Sequence, residues 1–445
     1  MDILKSPLLT DLYQLTMLQG YIEEGLHDEA VFEFYVRQMP ENRSFFVAAG
    51  LESCLRFLEN LAFTEEELRY LEGTKRFSSA LIAYLRTLRF NGDVHGLPEG
   101  TVFFPNEPLL RITAPLPVAQ LIETRLINFL HFETLIATKA ARCILAAQGR
   151  AALIDFGLRR AHGAEAGLLA ARACYLAGFI GTATVPAELL YGIPIFGTMA
   201  HSYIEAHPDE ETAFLKFAEA NPGNVTLLID TYDTIEGAKT AARVAGKLSD
   251  KNIRVRAVRL DSGDLLALSR EVRAILDAEG FPEIQIFASG NLDEYSVAEL
   301  LMRGAPINGF GIGTKLDTSA DVPYLECAYK LMEYAGEPRL KKSSGKATYP
   351  GRKQVFRLVQ DKRMIGDTIG LETERQDGTP LIRKVMAGGK RLEQPEPLPD
   401  LARRTKEQLQ QLPPSLCHLT GTESYPVTIS DALSRLKEDT ERRLS

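Results

Sequence analysis

The pattern of hydrophobic and polar residues along this chain changes at about residue 118. In the first part, apolar side chains recur at helical spacing over residues 9–24, and residues 30–36 have the composition of a strand. Further helical patterns follow at residues 51–61, 65–71 and 80–88. Prolines and glycines then divide residues 92–117 into short, strand-like pieces. This part of the sequence predicts a mixed α+β domain.

The part of the chain after about residue 118 begins with a long helical pattern up to Ala147. Short apolar strands then alternate with helices. The predicted strands are residues 151–156, 182–185, 193–196, 226–230, 254–260, 284–288 and 309–312. A repeated strand and helix order predicts a parallel sheet or barrel. Because fewer than eight strands are visible, we expect an irregular, incomplete α/β barrel. Barrel enzymes build their active sites on the face where the carboxyl ends of the strands lie.

The alternation of strands and helices stops after Pro323. Residues 327–333 and 354–359 predict two antiparallel strands, and the Lys/Ser/Gly-rich residues 341–346 between them predict a solvated loop. A proline-rich piece then leads into a charged tail. Helical patterns are visible in the tail at residues 400–411 and 430–443.

Composition narrows the class of protein. The chain has 445 residues, of which 45% are hydrophobic and 25% charged, as is usual for a globular protein of two or three domains. A net charge of -8 argues against nucleic acid as a partner, although a local group of arginines can still bind a small anion. Five scattered cysteines without a CxxC pair indicate neither a disulfide framework nor a cysteine-rich zinc site. Without a signal peptide or an apolar run of ~20 residues, we expect a cytoplasmic protein with no membrane segment.

The most informative segment is Gly197–Ser202, which follows the apolar run Ile193–Phe196. It presents His201 at a predicted strand end, where α/β barrels keep reactive groups. Imidazole is largely neutral, and therefore nucleophilic, at physiological pH. The alternative at this point is a structural histidine that only bonds to the backbone.

Charged residues follow two other predicted strands. Arg159 and Arg160 offer planar guanidinium groups that suit a carboxylate or a phosphate, with structural ion pairs at the barrel rim as the alternative. In the segment Arg259–Asp264, the second carboxylate precedes a helix and could simply stabilise its N-terminus. Alternatively, Asp261 or Asp264 faces the site and holds Mg²⁺.

The segments Ser289–Leu292 and Gly311–Thr314 end the last two predicted strands. Their glycines, including Gly290 and Gly313, allow backbone N–H groups to approach a phosphate. One such segment would be weak evidence because turns use glycine widely, but two in consecutive units are more informative.

Two further residues carry weaker signals. Tyr13 lies on the first predicted helix, where it is either a core or interface residue or a flat surface for a heteroaromatic ring. Lys139 lies on the long helix, where a solvated helix face is the alternative to a binding role. Neither residue would be chosen from its local sequence alone.

Six motifs, taken together and in order, closely resemble the nicotinate phosphoribosyltransferase family. They are Leu8–Gln14, Phe156–Gly163, Gly197–Ser202, Val258–Leu265, Ser289–Leu292 and Gly311–Thr314. The resemblance spans about residues 6–335 and is specific, because the motifs agree in type, order and spacing. It implies an ATP-coupled enzyme of NAD salvage, which converts nicotinate and phosphoribosyl pyrophosphate into nicotinate mononucleotide and pyrophosphate.

The resemblance also implies roles for individual residues. His201 would be transiently phosphorylated by ATP. Nicotinate would be contacted by Tyr13, Thr198 and Arg259, and Thr314 would hold the phosphoribosyl phosphate. The other expected substrate-binding residues are Arg159, Gly290, Gly313 and Lys139, and the expected Mg²⁺ ligand is Asp261.

The family architecture implies an α/β fold in which a discontinuous α+β domain, built from both ends of the chain, accompanies the irregular barrel. The expected domains are residues 1–135 with 325–390 for the α+β domain, 136–324 for the barrel-like catalytic domain, and 391–445 for a mostly helical C-terminal extension. Members are usually homodimers with shared active sites, so Tyr13 can belong to the site of a partner subunit.

Two segments depart from the family pattern. Residues 181–185 stand where a serine–asparagine pair is expected, and His162 stands where glutamine is commoner. Both departures bear on substrate contacts and leave the histidine, arginine and glycine motifs intact. The nearest alternative is a nicotinamide phosphoribosyltransferase, which needs a partner for an amide instead of a carboxylate.

Two alternatives come from other classes of protein. A catalytically silent ligand-binding protein could keep the same scaffold, because a fold does not secure a function. Against this, every expected site position still carries a competent residue type. A metal hydrolase is disfavoured, because the seven histidines form no HxH or HExxH pattern.

Overall fold

The computed structural model describes residues 3–342, 348–421 and 423–444. The chain divides into two compact units, Met1–Thr138 with Tyr324–Ser445 and Lys139–Pro323. Residues 343–346 of the predicted solvated loop lie outside the described residues. Within the described ranges, no helix combines the length and the apolar character needed to cross a membrane.

The first unit is organised around a seven-stranded sheet whose paired strands are antiparallel. In spatial order its strands are Glu337–Pro338, Cys327–Tyr334, Glu29–Val36, Pro108–Pro115, Asp93–Gly96, Arg383–Ala387 and Lys390–Arg391. A four-stranded sheet contains Thr379–Pro380, Lys353–Gln360, Arg363–Leu371 and Val427–Ile429. A two-stranded sheet pairs Phe46–Val47 with Val102–Phe103. Strands from both ends of the chain therefore share one sheet, as the discontinuous α+β domain requires.

Helices accompany these sheets. They are Leu12–Glu24, Leu51–Glu59, Glu65–Gly73, Ser79–Thr87, Leu116–Leu121, Glu123–Ala147, Leu398–Gln411 and Asp431–Arg443, with a 3₁₀ turn at Pro414–Cys417. The boundary between the two units falls inside Glu123–Ala147. The helix Glu65–Gly73 begins with a capping box, in which the Thr64 and Glu67 side chains bond to each other's backbone N–H groups. The two helices predicted in the tail are confirmed.

The two strands predicted after Pro323 exist but do not pair with each other. Cys327–Tyr334 pairs with Glu29–Val36, whereas Lys353–Gln360 pairs with Arg363–Leu371. The second pairing is a hairpin whose loop residues Asp361 and Lys362 both have positive φ, at 50° and 61°. Such a two-residue turn matches the twist of the flanking strands. The sequence alone did not reveal this local hairpin.

The second unit contains a six-stranded sheet in which every neighbouring pair is parallel. In spatial order the strands are Gly181–Thr182, Ala152–Asp155, Gly309–Ile312, Gln285–Ala288, Val255–Leu260 and Val225–Leu228. The connecting helices are Ala164–Ala177, Pro186–Tyr191, His201–Glu205, Glu210–Ala220, Thr234–Ser249, Leu265–Ala278, Glu294–Met302 and Thr314–Asp317, with a 3₁₀ turn at Leu158–Arg160. The predicted fold class, an incomplete α/β barrel together with a discontinuous α+β domain, is confirmed.

One predicted barrel strand is wrong. Within the described chain, residues 193–196 contribute only a single parallel bridge, between Ile195 and Thr182. Pro194 has no N–H to donate to a ladder, so the pairing does not extend. The long helical pattern from residue 118 is also interrupted, since one helix ends at Leu121 and the next begins at Glu123.

Candidate active site

The parallel register of the second unit aligns the ends of its strands. Ile312 lies opposite Asp155, and Ala288 lies opposite Leu260. Because parallel neighbours end at the same edge, the polar segments that follow them come together. A cavity of about 670 Å³ lies at this edge.

Most of the residues predicted for the site line this cavity. They are Arg159, Thr198, Arg259, Asp261, Gly290, Gly313 and Thr314. These residues come from five separate segments of the second unit. The structure thus places these predicted site residues together at one edge of the sheet, and what each of them binds stays a prediction.

His201 is not among the residues that line the cavity; it directly follows Ala200, which does, and begins the short helix His201–Glu205. Its Nδ1 is 3.1 Å from the Thr231 hydroxyl, and its Nε2 is 3.9 Å from Oδ2 of Asp261, which lines the cavity. The side chain is 39% exposed. Because Thr231 engages Nδ1, Nε2 is the ring nitrogen left for chemistry. The imidazole is thus accessible and faces the carboxylate of the cavity wall.

Thr198 and its neighbours are held by the adjoining strand. The Thr198 hydroxyl donates to the carbonyl of Thr226 at 2.6 Å, and the Asn224 amide donates to the carbonyl of Gly197 at 3.2 Å. Residues 193–196 form only a single bridge, so these two bonds help to hold the segment that leads to His201. The Thr198 hydroxyl is therefore already engaged, although the residue lines the cavity.

Arg259 projects from the strand Val255–Leu260 with only 12% of its side chain exposed. One terminal nitrogen donates to the carbonyl of Met199 at 3.2 Å, and the other is 3.5 Å from Asp261 Oδ1. Its Nε is buried and has no hydrogen-bond partner among the described residues. Burial lowers the pKa of Arg259, the charge of Arg159 lowers it further, and Asp261 and Asp230 oppose both. A buried guanidinium with an unused donor is suited to an anionic ligand.

Asp261 is the carboxylate of the cavity wall. Its Oδ1 accepts a hydrogen bond from the Ser289 hydroxyl, and its backbone N–H donates to Asp230 at 2.9 Å. The other oxygen of Asp230, Oδ1, is buried without a partner in the described chain. Asp264, by contrast, caps the next helix by accepting from the N–H groups of Leu266 and Ala267. Of the two carboxylates in this motif, only Asp261 lines the cavity.

These carboxylates suit Mg²⁺, which proteins bind through one or two carboxylates and which keeps waters or substrate oxygens in its other positions. Asp261 reaches the cavity, and Asp230 holds a buried oxygen that no donor satisfies. The described residues contain no group of three or more His, Cys, Asp or Glu side chains placed to hold a metal. An ion here would take waters or substrate oxygens as its remaining ligands.

The turn at Gly290 exposes backbone N–H groups. Gly290 and Asn291 have φ values of 96° and 51°, so two successive residues adopt the left-handed conformation. A Cβ at Gly290 would overlap the carbonyl oxygen of Asp261, which explains why glycine occupies this position. Successive N–H groups in such turns form concave anion sites.

Two predicted site residues lie elsewhere. Lys139 is 2% exposed and pairs with Glu294 at 2.5 Å and with Asp321 at 2.7 Å, and it is not part of the cavity lining. Tyr13 belongs to the helix Leu12–Glu24 of the first unit and is 47% exposed. The substrate contacts expected for Lys139 and Tyr13 stay predictions.

Sequence analysis named the segment Ser289–Leu292 and the strand 226–230, but it gave no individual role to several residues that the structure brings to the site. Ser289 and Asn291 line the cavity, and Asp230 and Thr231 support Asp261 and His201. The signal for Asp230 and Thr231 was present, because they follow a predicted strand whose end lies at the same edge. Their role depends on contacts between segments distant in sequence, which no local motif shows.

Comparisons with known proteins agree with this arrangement. Family models match residues 8–131 (nicotinate phosphoribosyltransferase N-terminal domain), 151–357 (nicotinate phosphoribosyltransferase family) and 376–437 (nicotinate phosphoribosyltransferase C-terminal domain). The chain is 47% identical to nicotinate phosphoribosyltransferase pncB2 of Mycobacterium tuberculosis, over 96% of this chain and 92% of the relative. It is 40% identical to nicotinate phosphoribosyltransferase of Bacillus subtilis, over 84% of this chain and 78% of the relative. The crystal structure of human nicotinic acid phosphoribosyltransferase superposes with a TM-score of 0.87 at 30% identity, covering 97% of this chain and 99% of that one.

Proposed function

This chain belongs to the nicotinate phosphoribosyltransferase family, and from that premise we propose that it transfers phosphoribosyl from phosphoribosyl pyrophosphate to nicotinate with coupled ATP hydrolysis. The products are nicotinate mononucleotide and pyrophosphate, in NAD salvage. In the transfer, the ring nitrogen of nicotinate forms a bond to the anomeric carbon while pyrophosphate departs with the bonding electrons. The enzyme must orient the ring and stabilise the charge that develops on the leaving group.

The observation that carries this proposal is the charge of the cavity. Arg159, Arg160 and Arg259 line it, against the single carboxylate of Asp261 among its described lining residues. The buried Nε of Arg259 has no partner in the described chain, and its burial strengthens any interaction with an anion. We assign Arg259 to the nicotinate carboxylate, with Thr198 beside the ring. A neutral amide would gain less from this guanidinium.

The phosphate groups are assigned to the remaining cavity segments. Arg159 supplies a permanent charge, and the turn at Gly290 supplies N–H groups. Gly313 and Thr314 follow the strand that lies between the strands leading to Arg159 and to Gly290, and the threonine hydroxyl can donate to a phosphate oxygen. These contacts would hold the ribose phosphate while the pyrophosphate leaves.

His201 is proposed as the residue that ATP phosphorylates. Nε2 attacks the terminal phosphorus, a nitrogen–phosphorus bond forms, and ADP leaves with the electrons of the broken bond. Hydrolysis later returns His201 and inorganic phosphate. A phosphoryl group adds roughly two negative charges, by analogy with phosphorylated hydroxyls. At this position the added charge lies beside Asp261, 3.9 Å from Nε2, and favours rearrangement of nearby cations toward phosphoribosyl pyrophosphate.

Asp261, whose backbone N–H donates to Asp230, would hold Mg²⁺. When bound, the ion would supply positive charge to the pyrophosphate leaving group.

Further expectations accompany the function. The protein is proposed to be a cytoplasmic homodimer with shared active sites, to which Tyr13 contributes from a partner subunit. Lys139 was expected to contact substrate, and its ion pairs with Glu294 and Asp321 favour a supporting role instead.

A rapid-quench experiment with nicotinate, phosphoribosyl pyrophosphate, Mg²⁺ and labelled ATP tests the proposal. We expect acid-labile label on the protein and nicotinate mononucleotide formation that ATP accelerates. His201→Ala should take up no label and should transfer phosphoribosyl slowly, at a rate that ATP does not change. Retention of ATP stimulation in His201→Ala would overturn the role of His201, and faster turnover of nicotinamide than nicotinate would overturn the substrate.

A further inference from the structure

Two carboxyl groups that the reaction above does not use lie buried next to the cavity. Asp155 ends the strand Ala152–Asp155, and Asp317 ends the helix Thr314–Asp317. Both are fully buried. Asp155 accepts two hydrogen bonds, from the Gly157 N–H at 2.7 Å and from the Thr182 hydroxyl at 2.6 Å. Asp317 accepts none from the described residues, and its carboxyl faces Asp155.

The surroundings of this pair disfavour two negative charges. Among the described residues, no Lys, Arg or His pairs with either carboxyl or lowers its pKa. The remaining titratable neighbour is the thiol of Cys174 on the helix Ala164–Ala177, whose own pKa is raised by burial and by both carboxyls. A buried carboxylate without a partner binds a proton instead of staying charged.

The surroundings indicate which of the two carboxyl groups carries the proton. Burial raises the pKa of Asp317 well above its ordinary value, and the negative charge of Asp155 raises it further. Burial also raises the pKa of Asp155, but the bonds from Thr182 and Gly157 oppose this and favour its ionised form. Asp317 is therefore the acid, and it donates its proton to the carboxylate of Asp155.

The pair joins two walls of the cavity. Gly157 lies against the Asp317 carboxyl so closely that a Cβ at Gly157 would overlap it. The segment that contains Gly157 continues to Arg159, and the helix that ends at Asp317 begins at Thr314. Arg159 and Thr314 both line the cavity.

We propose that Asp155 and Asp317 share one proton and form a positioning element, which ties the Arg159 segment to the Thr314 helix in the arrangement that binds phosphoribosyl pyrophosphate. The role in binding phosphoribosyl pyrophosphate rests on the proposed function, whereas the shared proton does not. Loss of the proton places two like charges between these walls and weakens substrate binding.

The first test compares the two isosteric variants Asp317→Asn and Asp155→Asn by thermal unfolding at slightly alkaline pH. Asparagine at position 317 still donates an N–H to Asp155, so this variant should melt at or above the wild-type temperature. Asparagine at position 155 has one acceptor oxygen in place of two, so either Gly157 or Thr182 loses its acceptor and the melting temperature falls. Equal melting temperatures, or the reverse order, would overturn the assignment of the proton to Asp317.

The second test follows unfolding of wild type and Asp317→Asn as a function of pH. In the unfolded chain Asp317 loses its proton at a pH of about 3.9, whereas the folded form keeps it up to a higher pH. Wild-type stability should therefore decline as pH rises above that value, by up to about tenfold in the unfolding equilibrium constant per pH unit for one proton. Asp317→Asn should lack this contribution. Parallel pH dependences of the two proteins would contradict the shared proton, even if Asp155→Asn does not fold.

One infrared and one kinetic measurement distinguish a failure of this proposal from a failure of the proposed function. The infrared spectrum of wild type minus Asp317→Asn should show the C=O stretch of a protonated carboxyl at neutral pH, whether or not the protein transfers phosphoribosyl. The KM for phosphoribosyl pyrophosphate should rise on the alkaline side in wild type and stay flat in Asp317→Asn. A missing infrared band overturns the shared proton, and identical KM profiles overturn the positioning role.

Discussion

The cluster around Lys139 and the cavity around Arg259 use buried charge in opposite ways, although both belong to the same unit. Lys139 is surrounded by the carboxylates of Glu294 and Asp321, and Arg142 also donates to Glu294, at 3.0 Å. Arg259 has one carbonyl bond and a contact with Asp261 at 3.5 Å, and its Nε has no partner among the described residues. One group of charges is balanced within the protein, and the other is not.

This difference separates residues that support the fold from residues that are available to a ligand. A buried cation that is already paired with two carboxylates gains little from a further anion, whereas a buried cation with an unused donor and little compensation gains more. From sequence, Lys139 and Arg259 were both expected to bind substrate. The structure distinguishes them by their partners.

The largest expected effect comes from removing the charge at the centre of the balanced cluster. Lys139→Met leaves the buried carboxylate of Glu294 with less compensation, so we expect a loss of about 3–5 kcal/mol in the free energy of unfolding. Chemical denaturation measures this loss. The matched control is Lys216→Met, which removes an exposed ion pair and should cost about 0–1 kcal/mol. Unchanged stability of Lys139→Met with a raised KM for nicotinate would instead favour a direct substrate contact.

A smaller effect is expected from Gly290→Ala in the cavity wall. A side chain there is strained at φ 96° and overlaps the Asp261 carbonyl, at a cost of about 1–3 kcal/mol. The turn must shift, so the KM for phosphoribosyl pyrophosphate should rise about tenfold or more. Gly304→Ala is the control, because Gly304 has a positive φ of 73° but nothing within 4 Å of the added Cβ. An equal rise in KM for both variants would argue against phosphate binding at this turn.

The smallest effect is expected from the bond that supports the segment before His201. Thr198→Val removes the hydroxyl that donates to the Thr226 carbonyl, which should cost about 0.5–1.5 kcal/mol and lower kcat/KM for nicotinate by up to about tenfold. Thr198→Ser keeps the hydroxyl and should restore most of the activity. Failure of serine to restore it would show that the methyl group, and not the hydrogen bond, matters here.

Much of the second unit was predictable because its signals are local. Short apolar strands followed by polar turns predicted the parallel sheet, and the shared edge of that sheet placed Arg159, Asp261 and Gly290 together. The apolar run before Gly197 looked like a further strand, but Pro194 prevents a ladder. Local apolar character alone does not reveal whether a partner strand is available.

Features that depend on distant partners could not be predicted. The sequence shows Lys139 on a helix but not the two carboxylates that surround it. It shows two candidate carboxylates at Asp261 and Asp264, and only the structure assigns one to the cavity and the other to a helix cap. The facing pair of Asp155 and Asp317 is 162 residues apart in sequence and carries no motif.

The proposed substrate specificity depends on Arg259, whose guanidinium Nε has no partner among the described residues and would select a pyridine that carries a carboxylate. The most direct test measures kcat/KM for nicotinate and for nicotinamide in wild type and in Arg259→Leu. We predict that wild type prefers nicotinate, and that the variant loses about ten- to a hundredfold or more of its nicotinate efficiency, as expected for a charged hydrogen bond of about 1.5–3 kcal/mol, with a much smaller change for nicotinamide. Equal losses for the two pyridines, or a wild-type preference for nicotinamide, would contradict the account.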